Sequence, residues 1–186
     1  MRRTTPALAL VLGLVVVATS WAGEVRVYAN REIKPVVLQL ISQAHQSLDI
    51  QMYTLTDQEV IRSLQTARTR GVVVRVFLDA SQPSNKKNVP QLINKRIEVK
   101  WSPLERPALM HRKLLIVDGR EVLLGSCNWT HNAFTRSDEV DVWLDDTEAV
   151  ARLVALFDDD WTSVSQPHAT AGRKNIQGKL DAEFRF

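Results

Sequence analysis

A single cysteine, Cys127, is all that the 186 residues contain. An intramolecular disulfide cannot form, and a cysteine-rich metal centre is excluded. Histidine is nearly as scarce. The chain has four, and only His111 is followed two residues later by a lysine, so any chemistry that needs two such pairs cannot come from one copy. There is no internal repeat, and outside the N-terminus no amphipathic stretch suited to lying on a membrane. What remains is a chain with 45% hydrophobic residues, enough for one domain with a sizeable core and too apolar for wholesale disorder.

The first two dozen residues differ from the rest. Arg2 and Arg3 precede an apolar run from Ala7 to Ala18, followed by Ser20 and Ala22 at the two small-residue positions a signal peptidase reads. The pattern is that of a secretory signal over residues 1–22, and the run is short for a membrane span. The expected mature chain therefore starts near Gly23, in the periplasm or outside the cell, with a net charge of +1. That small value hides an asymmetry. Residues 62–136 hold 14 Lys or Arg against 5 Asp or Glu, a local +9, whereas residues 137–160 hold 1 Arg against 9 acids, a local −8. The basic stretch could attract an anionic polymer; the plainer alternative is that the two signs interleave in space.

Periodicity predicts alternating strands and helices. Strands are expected at 24–28, 47–55, 72–78 and 97–101, and helices at 33–45 and from the Asp57 cap to Arg68, closed by Gly71. Residues 81–88 read as loop, 89–95 as a short helix and 102–108 as a proline-bearing loop. Residues 109–117 and 122–125 form two strands about an Asp118-Gly119 turn, 139–144 another strand, and a last helix runs from Asp146 or Thr147 to about Trp161. This alternation predicts a single α/β layered domain over residues 23–165, with a loose tail at 166–186.

The chemistry concentrates in Met110-His111-Arg112-Lys113 and in Gly125-Ser126-Cys127-Asn128-Trp129-Thr130. On a strand, His111 and Lys113 share a face, roughly 7 Å apart at Cα. A hairpin about Asp118-Gly119 sets His111 opposite Ser126; one about Gly119-Arg120 sets Lys113 opposite Ser126 and His111 opposite Asn128. Either way one patch gathers an imidazole, an ammonium, a hydroxyl and an amide. Imidazole can attack phosphorus, and Lys113 supplies fixed positive charge for non-bridging oxygens, with Ser126 and Asn128 as neutral donors. No carboxylate cluster accompanies them, so neither a metal nor another cofactor is implied. Strand alternation turns Cys127 away from Ser126, which predicts a buried filler rather than a nucleophile. The run Asp158-Asp159-Asp160 reads as a solvated helix face.

His111-x-Lys113-x4-Asp118 together with Gly125-Ser126-x-Asn128 resembles the HKD signature of the phospholipase D superfamily, and most closely its short single-motif branch of endonucleases and related cardiolipin hydrolases. The resemblance runs from about Val25 to Trp161. It implies a mixed central sheet flanked by helices, a phosphohistidine at His111, and phosphate binding by Lys113, Ser126 and Asn128. It further implies that Glu139 holds the nucleophilic imidazole, that Asp118 and Gly125 are structural members of the motif, and that the chain works as a homodimer. Ser137 stands where the family often has asparagine, which leaves its role open. His45, His131 and His168 have no lysine partner, so the second catalytic imidazole is expected from another copy. The expected substrate is DNA or RNA, cut without sequence preference; a phospholipid is the second choice, with Trp101 and Leu104 near a proline-rich loop as its one apolar feature.

Overall fold

The computed structural model describes residues 23–102 and 109–164. The expected signal at 1–22, the loop residues 103–108 with Leu104, and the tail with His168 lie outside the described residues.

Seven strands form one sheet: β1 (Val25–Ala29), β2 (Ser47–Met52), β3 (Val73–Leu78), β4 (Glu98–Trp101), β5 (Lys113–Val117), β6 (Glu121–Gly125) and β7 (Val140–Leu144). Their order is β1-β7-β6-β5-β2-β3-β4. The neighbours β2, β3 and β4 run parallel, and every other pairing is antiparallel, so the sheet is mixed. The helices are α1 (Ile33–Gln43), α2 (Gln58–Thr69), α3 (Pro83–Ile93), α4 (His131–Arg136) and α5 (Thr147–Ser163).

Side-chain alternation along the central strands divides the core into two layers. Leu48, Ile50, Val74, Val76, Leu115 and Val117 face α1, α2 and α3, whose stripes Val37/Leu40/Ile41, Val60/Ile61/Leu64 and Val89/Leu92 close over them. Phe77, Leu114, Ile116 and Val122 face the opposite way, onto Val150, Phe157 and Trp161 of α5. Because both faces are covered, all five residues of β5 are buried, and after Lys113 the strand is apolar throughout. Each large side chain removed from water in this way contributes roughly 2 kcal/mol.

Local signals set the helix ends where the sequence placed them. The Asp57 carboxylate accepts the N–H groups of Glu59 and Val60 at 3.0 and 3.1 Å, and Gly71 leaves α2 at φ +98, a conformation open to glycine. Asp146 caps α5 through Ala149 N–H at 2.9 Å.

Three expectations about secondary structure are overturned. Residues 81–88 are not a loop: α3 begins at Pro83, a residue whose fixed φ suits the first helical turn. Asn85, polar and apparently loop-forming in sequence, is buried there, with its amide spent on the neighbouring backbone. The strand at 109–117 is confined to Lys113–Val117, so His111 precedes it. Finally, neither hairpin register holds. A tight turn does form at Asp118-Gly119, with φ +52 and +64 and Arg120 N–H bonded to Val117 O at 2.9 Å. Arg120 is then an extra residue, and the ladder resumes with Val117 opposite Glu121 and ends at Leu114 opposite Leu124. One added residue in one strand moves every downstream pair.

The oppositely charged stretches meet in space. Arg75 pairs bidentately with Asp49 at 2.6 and 2.8 Å and reaches Asp158 at 2.9 Å. Arg112 pairs with Asp160, whose carboxylate also accepts from the buried Gln51 at 2.7 Å. Lys100 is buried, its ammonium bonded to the carbonyls of Trp161 and Val164 at 2.6 and 2.9 Å. Asp158 and Asp160 are therefore partners that fasten α5 to the sheet, rather than members of a solvated face.

Candidate active site

The candidate residues collect at one end of the sheet, beyond the C-terminal ends of the parallel strands β2 and β3, where open α/β sheets place ligands. His111 is held there from several directions. Just before it, Met110 N–H donates to the buried Asp79 carboxylate at 2.8 Å; just after it, Arg112 O accepts Tyr53 N–H at 3.1 Å. Asn85 fixes the opposing segment by donating to Tyr53 O at 2.9 Å and accepting from Leu55 N–H at 2.9 Å.

Lys113 is 5% exposed, yet its ammonium reaches the rim. Its Nζ lies 3.2 Å from both ring nitrogens of His111 and donates to His111 O at 2.8 Å. Burial lowers its pKa, and this is opposed by the nearby negative charges of Glu139 and Asp141. The imidazole itself is exposed. The Tyr53 ring packs on it with centroids 4.5 Å apart, and Lys113 Nζ lies 5.1 Å from the same tyrosine ring.

The second motif segment follows β6. Cys127 and Trp129 are fully buried, and Asn128 between them is turned outward. The Asn128 Oδ1 accepts Thr54 N–H at 3.1 Å, so its carbamoyl NH₂ is the end available to a ligand. Trp129 zips to the same loop, its N–H to Thr54 O at 3.0 Å and its carbonyl accepting Thr56 and Asp57 N–H, each at 2.9 Å. Thr130 then caps α4 through Ala133 N–H at 3.1 Å. The Ser126 hydroxyl donates to the Glu139 carboxylate. Asn30, at φ +54, grips the Glu139 backbone from both sides: its side-chain oxygen accepts Glu139 N–H, and its N–H donates to Glu139 O, both at 2.9 Å.

Beneath these groups lies a carboxylate that sequence reasoning missed. Asp141 is 2% exposed and accepts Cys127 N–H at 3.1 Å. Burial, reinforced by the charge of Glu139, raises its pKa to about 6, against the lowering influence of the Cys127 and Ser126 N–H groups and Lys113. The same burial and the same two carboxylates push the Cys127 thiol up to about 12, which leaves it an unreactive filler as expected. Gly125 explains itself here. A Cβ built on it would meet Asp141 Oδ1 at 2.2 Å and Val140 O at 2.3 Å.

The structure separates the remaining motif residue from the rest. Asp118 lies at the far end of β5, where its carboxylate accepts the N–H groups of His45, Gln46 and Ser47 at 2.9, 2.7 and 2.8 Å. It locks the entry of β2 to the β5–β6 turn. Ser137 ends α4, its N–H bonded to Asn132 O at 3.2 Å. Tyr53, Asp79, Asn85, Asn30 and Asp141 were not singled out from sequence. Tyr53 and Asp79 carried one usable signal: each directly follows a parallel strand.

Helices sandwich a mixed sheet, and an imidazole and an ammonium meet beyond its strand ends, the arrangement of one class of α/β domain. Residues 37–161 match the family model described as the cardiolipin synthase, phospholipase D-like domain. The chain belongs to the phospholipase D superfamily. It is 30% identical over 132 residues to a phospholipase D of Rickettsia prowazekii, covering 68% of this chain and 60% of that one. It is 30% identical over 125 residues to the mitochondrial cardiolipin hydrolase of Chlamydomonas reinhardtii, covering 67% and 55%. The chain thus spans little more than half the length of these curated relatives. Among solved structures it superposes on Nuc from Salmonella typhimurium, a phospholipase D family member, with TM-score 0.71, 22% identity, and 78% of this chain and 98% of that chain covered. NucT from Helicobacter pylori gives TM-score 0.71 at 23% identity, with 78% and 99% covered. At such identities the superpositions speak for the fold.

Proposed function

We infer that the protein is a metal-independent phosphodiesterase, acting on DNA or RNA without sequence preference as a homodimer. The observation that carries this is the direct contact between a nearly buried ammonium and an exposed imidazole, Lys113 Nζ to the His111 ring at 3.2 Å, with outward-facing Asn128 and the Ser126–Glu139 pair on the adjoining segment. A His111 ring nitrogen attacks phosphorus and forms a phosphoramidate while the P–O bond to the leaving group breaks. Lys113 and the Asn128 NH₂ hold the non-bridging oxygens, whose charge rises in the transition state, and Ser126 adds a third donor when its hydroxyl turns from Glu139 to the phosphate. A second imidazole protonates the leaving oxygen and then deprotonates the water that hydrolyses the phosphoramidate.

The first copy offers no good source for that second group among its described residues. His45 lies at the opposite end of β2, its N–H bonded to Asp118, and His131 starts α4 on the surface. A twofold partner presents its own His111. In this reading Glu139, tied to Ser126 and gripped by Asn30, orients an imidazole across that interface or within its own copy. Arg2, Arg3 and the apolar run from Ala7 to Ala18 support reading residues 1–22 as a secretory signal, and with it a site of action in the periplasm or outside the cell.

Nucleic acid is supported by exposed cations of the basic stretch that no acid among the described residues consumes. Arg75, Lys100 and Arg112 are committed internally, whereas Arg62, Lys87, Lys95 and Arg136 of the same stretch are exposed and join no ion pair among the described residues. A phospholipid is the second reading, favoured by the curated relatives named phospholipase D and cardiolipin hydrolase. Purified protein lacking residues 1–22 is incubated with plasmid, RNA and cardiolipin vesicles in parallel, each with EDTA. Cleavage of nucleic acid in chelator, with acid-labile, base-stable ³²P trapped on wild type but not on His111→Ala, is the expected result. Activity that is lost to EDTA and regained with Mg²⁺ refutes the mechanism, and turnover of cardiolipin alone selects the second reading.

A further inference from the structure

Tyr53 has no place in the phosphoryl chemistry above, yet it touches both of its central groups. Its ring centroid is 4.5 Å from that of His111, with the planes tilted by 59°, and 5.1 Å from Lys113 Nζ. The ring is not free to leave. Its hydroxyl accepts Gln82 Nε2 at 2.6 Å, its backbone N–H donates to Arg112 O at 3.1 Å, and its carbonyl accepts Asn85 Nδ2 at 2.9 Å. Asn85 and Gln82 both stand at the start of α3, whose register is set by Pro83, so the tyrosine is clamped from a different layer of the fold.

We propose that Tyr53 is a positioning residue that fixes the His111 ring for attack and favours the cationic form of Lys113 through its π-face. This rests on His111 being the nucleophile. Two physical effects act together. An exposed imidazole held on one side only, by the Lys113 ammonium, would sample several rotamers; a tilted ring at 4.5 Å removes those that would overlap it. A desolvated ammonium tends to lose its proton, and an aromatic face within about 6 Å offsets that tendency through its quadrupole. The other titratable or charged groups around Lys113 are His111, Cys127 after β6, and Glu139 and Asp141 at the start of β7. Tyr53 is the contact from the β2 side.

The test uses the chain lacking residues 1–22 and the chromogenic diester bis(p-nitrophenyl) phosphate. Tyr53→Leu is expected to lower kcat roughly 10- to 100-fold, with KM changed less than about threefold, because geometry rather than affinity is lost. The alkaline limb of its pH–rate profile, where Lys113 deprotonates, is expected to move down by about half a unit to one unit. Tyr53→Phe keeps the ring and is expected to stay within about threefold of wild type with an unmoved limb. Phenylalanines of increasing fluorination at position 53 keep the shape while draining the π-face. The alkaline limb is expected to fall stepwise along that series, which tests the idea even where the leucine variant does not fold. In NMR spectra, the His111 ring protons are expected to lose the tyrosine's ring-current shift in Tyr53→Leu.

A limb that is invariant across the fluorinated series, or a Tyr53→Phe as impaired as Tyr53→Leu, overturns the proposal. His111→Ala in the same assay separates the two levels of argument. If it still turns over, the nucleophile assignment has failed; if it is dead while the Tyr53 series is flat, only the role of Tyr53 has.

Discussion

Replacing Asp118 with alanine is expected to cost stability and to leave turnover intact, although Asp118 is the third residue of the motif. Its carboxylate accepts the N–H groups of His45, Gln46 and Ser47 at 2.9, 2.7 and 2.8 Å, at the opposite end of β5 from His111. Alanine leaves all of these donors without their acceptor and puts a Cβ-bearing residue with no local hydrogen bond at φ +52. A hydrogen bond to a charged group is worth about 1.5–3 kcal/mol. Two of these are exposed to competing water, so the sum is well below the additive value, and a net loss of about 3 kcal/mol is expected. In a domain of this size that lowers Tm by roughly 10 °C. Asp118→Asn keeps one acceptor and tolerates positive φ, so it should lose about half as much. The pH dependence follows in sign. Burial pushes the Asp118 pKa up, but the backbone N–H bonds outweigh it, and the folded pKa is depressed below 3.8. The stabilisation is therefore complete above the unfolded value and is lost as pH falls through the folded one. Urea unfolding at pH 7 and pH 3, with kcat per folded molecule measured alongside, checks all of this. A kcat falling a hundredfold in Asp118→Ala with stability unchanged would refute the structural assignment.

Asp141 predicts the opposite slope. Its folded pKa of about 6 lies above the ordinary 3.8, so the unfolded state ionises first and stability is lost as pH rises between these values. Asp141→Asn should recover up to about 3 kcal/mol at pH 7.5 and none at pH 3, judged by urea midpoints against wild type; a constant difference between the two pH values would show that Asp141 is not the titrating group. Gly125→Ala should destabilise by about 3 kcal/mol or more and depress activity, because the new methyl would sit 2.2 Å from Asp141 Oδ1 and 2.3 Å from Val140 O, and backbone cannot yield cheaply; urea unfolding of a wild-type-like variant would contradict the close approach. Cys127, buried and raised to about 12, should resist a disulfide reagent at pH 8 in the native protein and react at once in urea; rapid native labelling would show that the segment under Asn128 opens.

By itself the sequence determined the class of fold and the identities of the chemical groups. The apolar runs at 72–78, broken only by Arg75, and at 114–117 require a sheet covered on both faces, and the caps Asp57 and Asp146 announce their helices, because hydrophobic period and end-capping are local. The candidates His111, Lys113, Ser126, Asn128 and Glu139 could be picked out because a motif is a spacing, and spacing survives in one dimension. Asp118 was read correctly as a turn residue, but its three N–H partners lie about seventy residues earlier, beyond any local rule. Tertiary structure alone decided the rest. Arg120 as an added residue at the turn shifted the hairpin register, and no propensity distinguishes that bulge from a two-residue turn. Asn85 looked like loop because its polarity was taken for solvent exposure; it is buried because the backbone of the β2 exit needs its amide. Whether the basic stretch faces a polymer or interleaves with the acids was open in sequence; folding pairs Arg75 and Arg112 with Asp158 and Asp160 and so decides it for those two cations. Tyr53 and Asp141 are ordinary residues in sequence. They acquire meaning only where β2 ends against His111 and where β7 passes beneath Cys127, since contact across strands is a property of three dimensions.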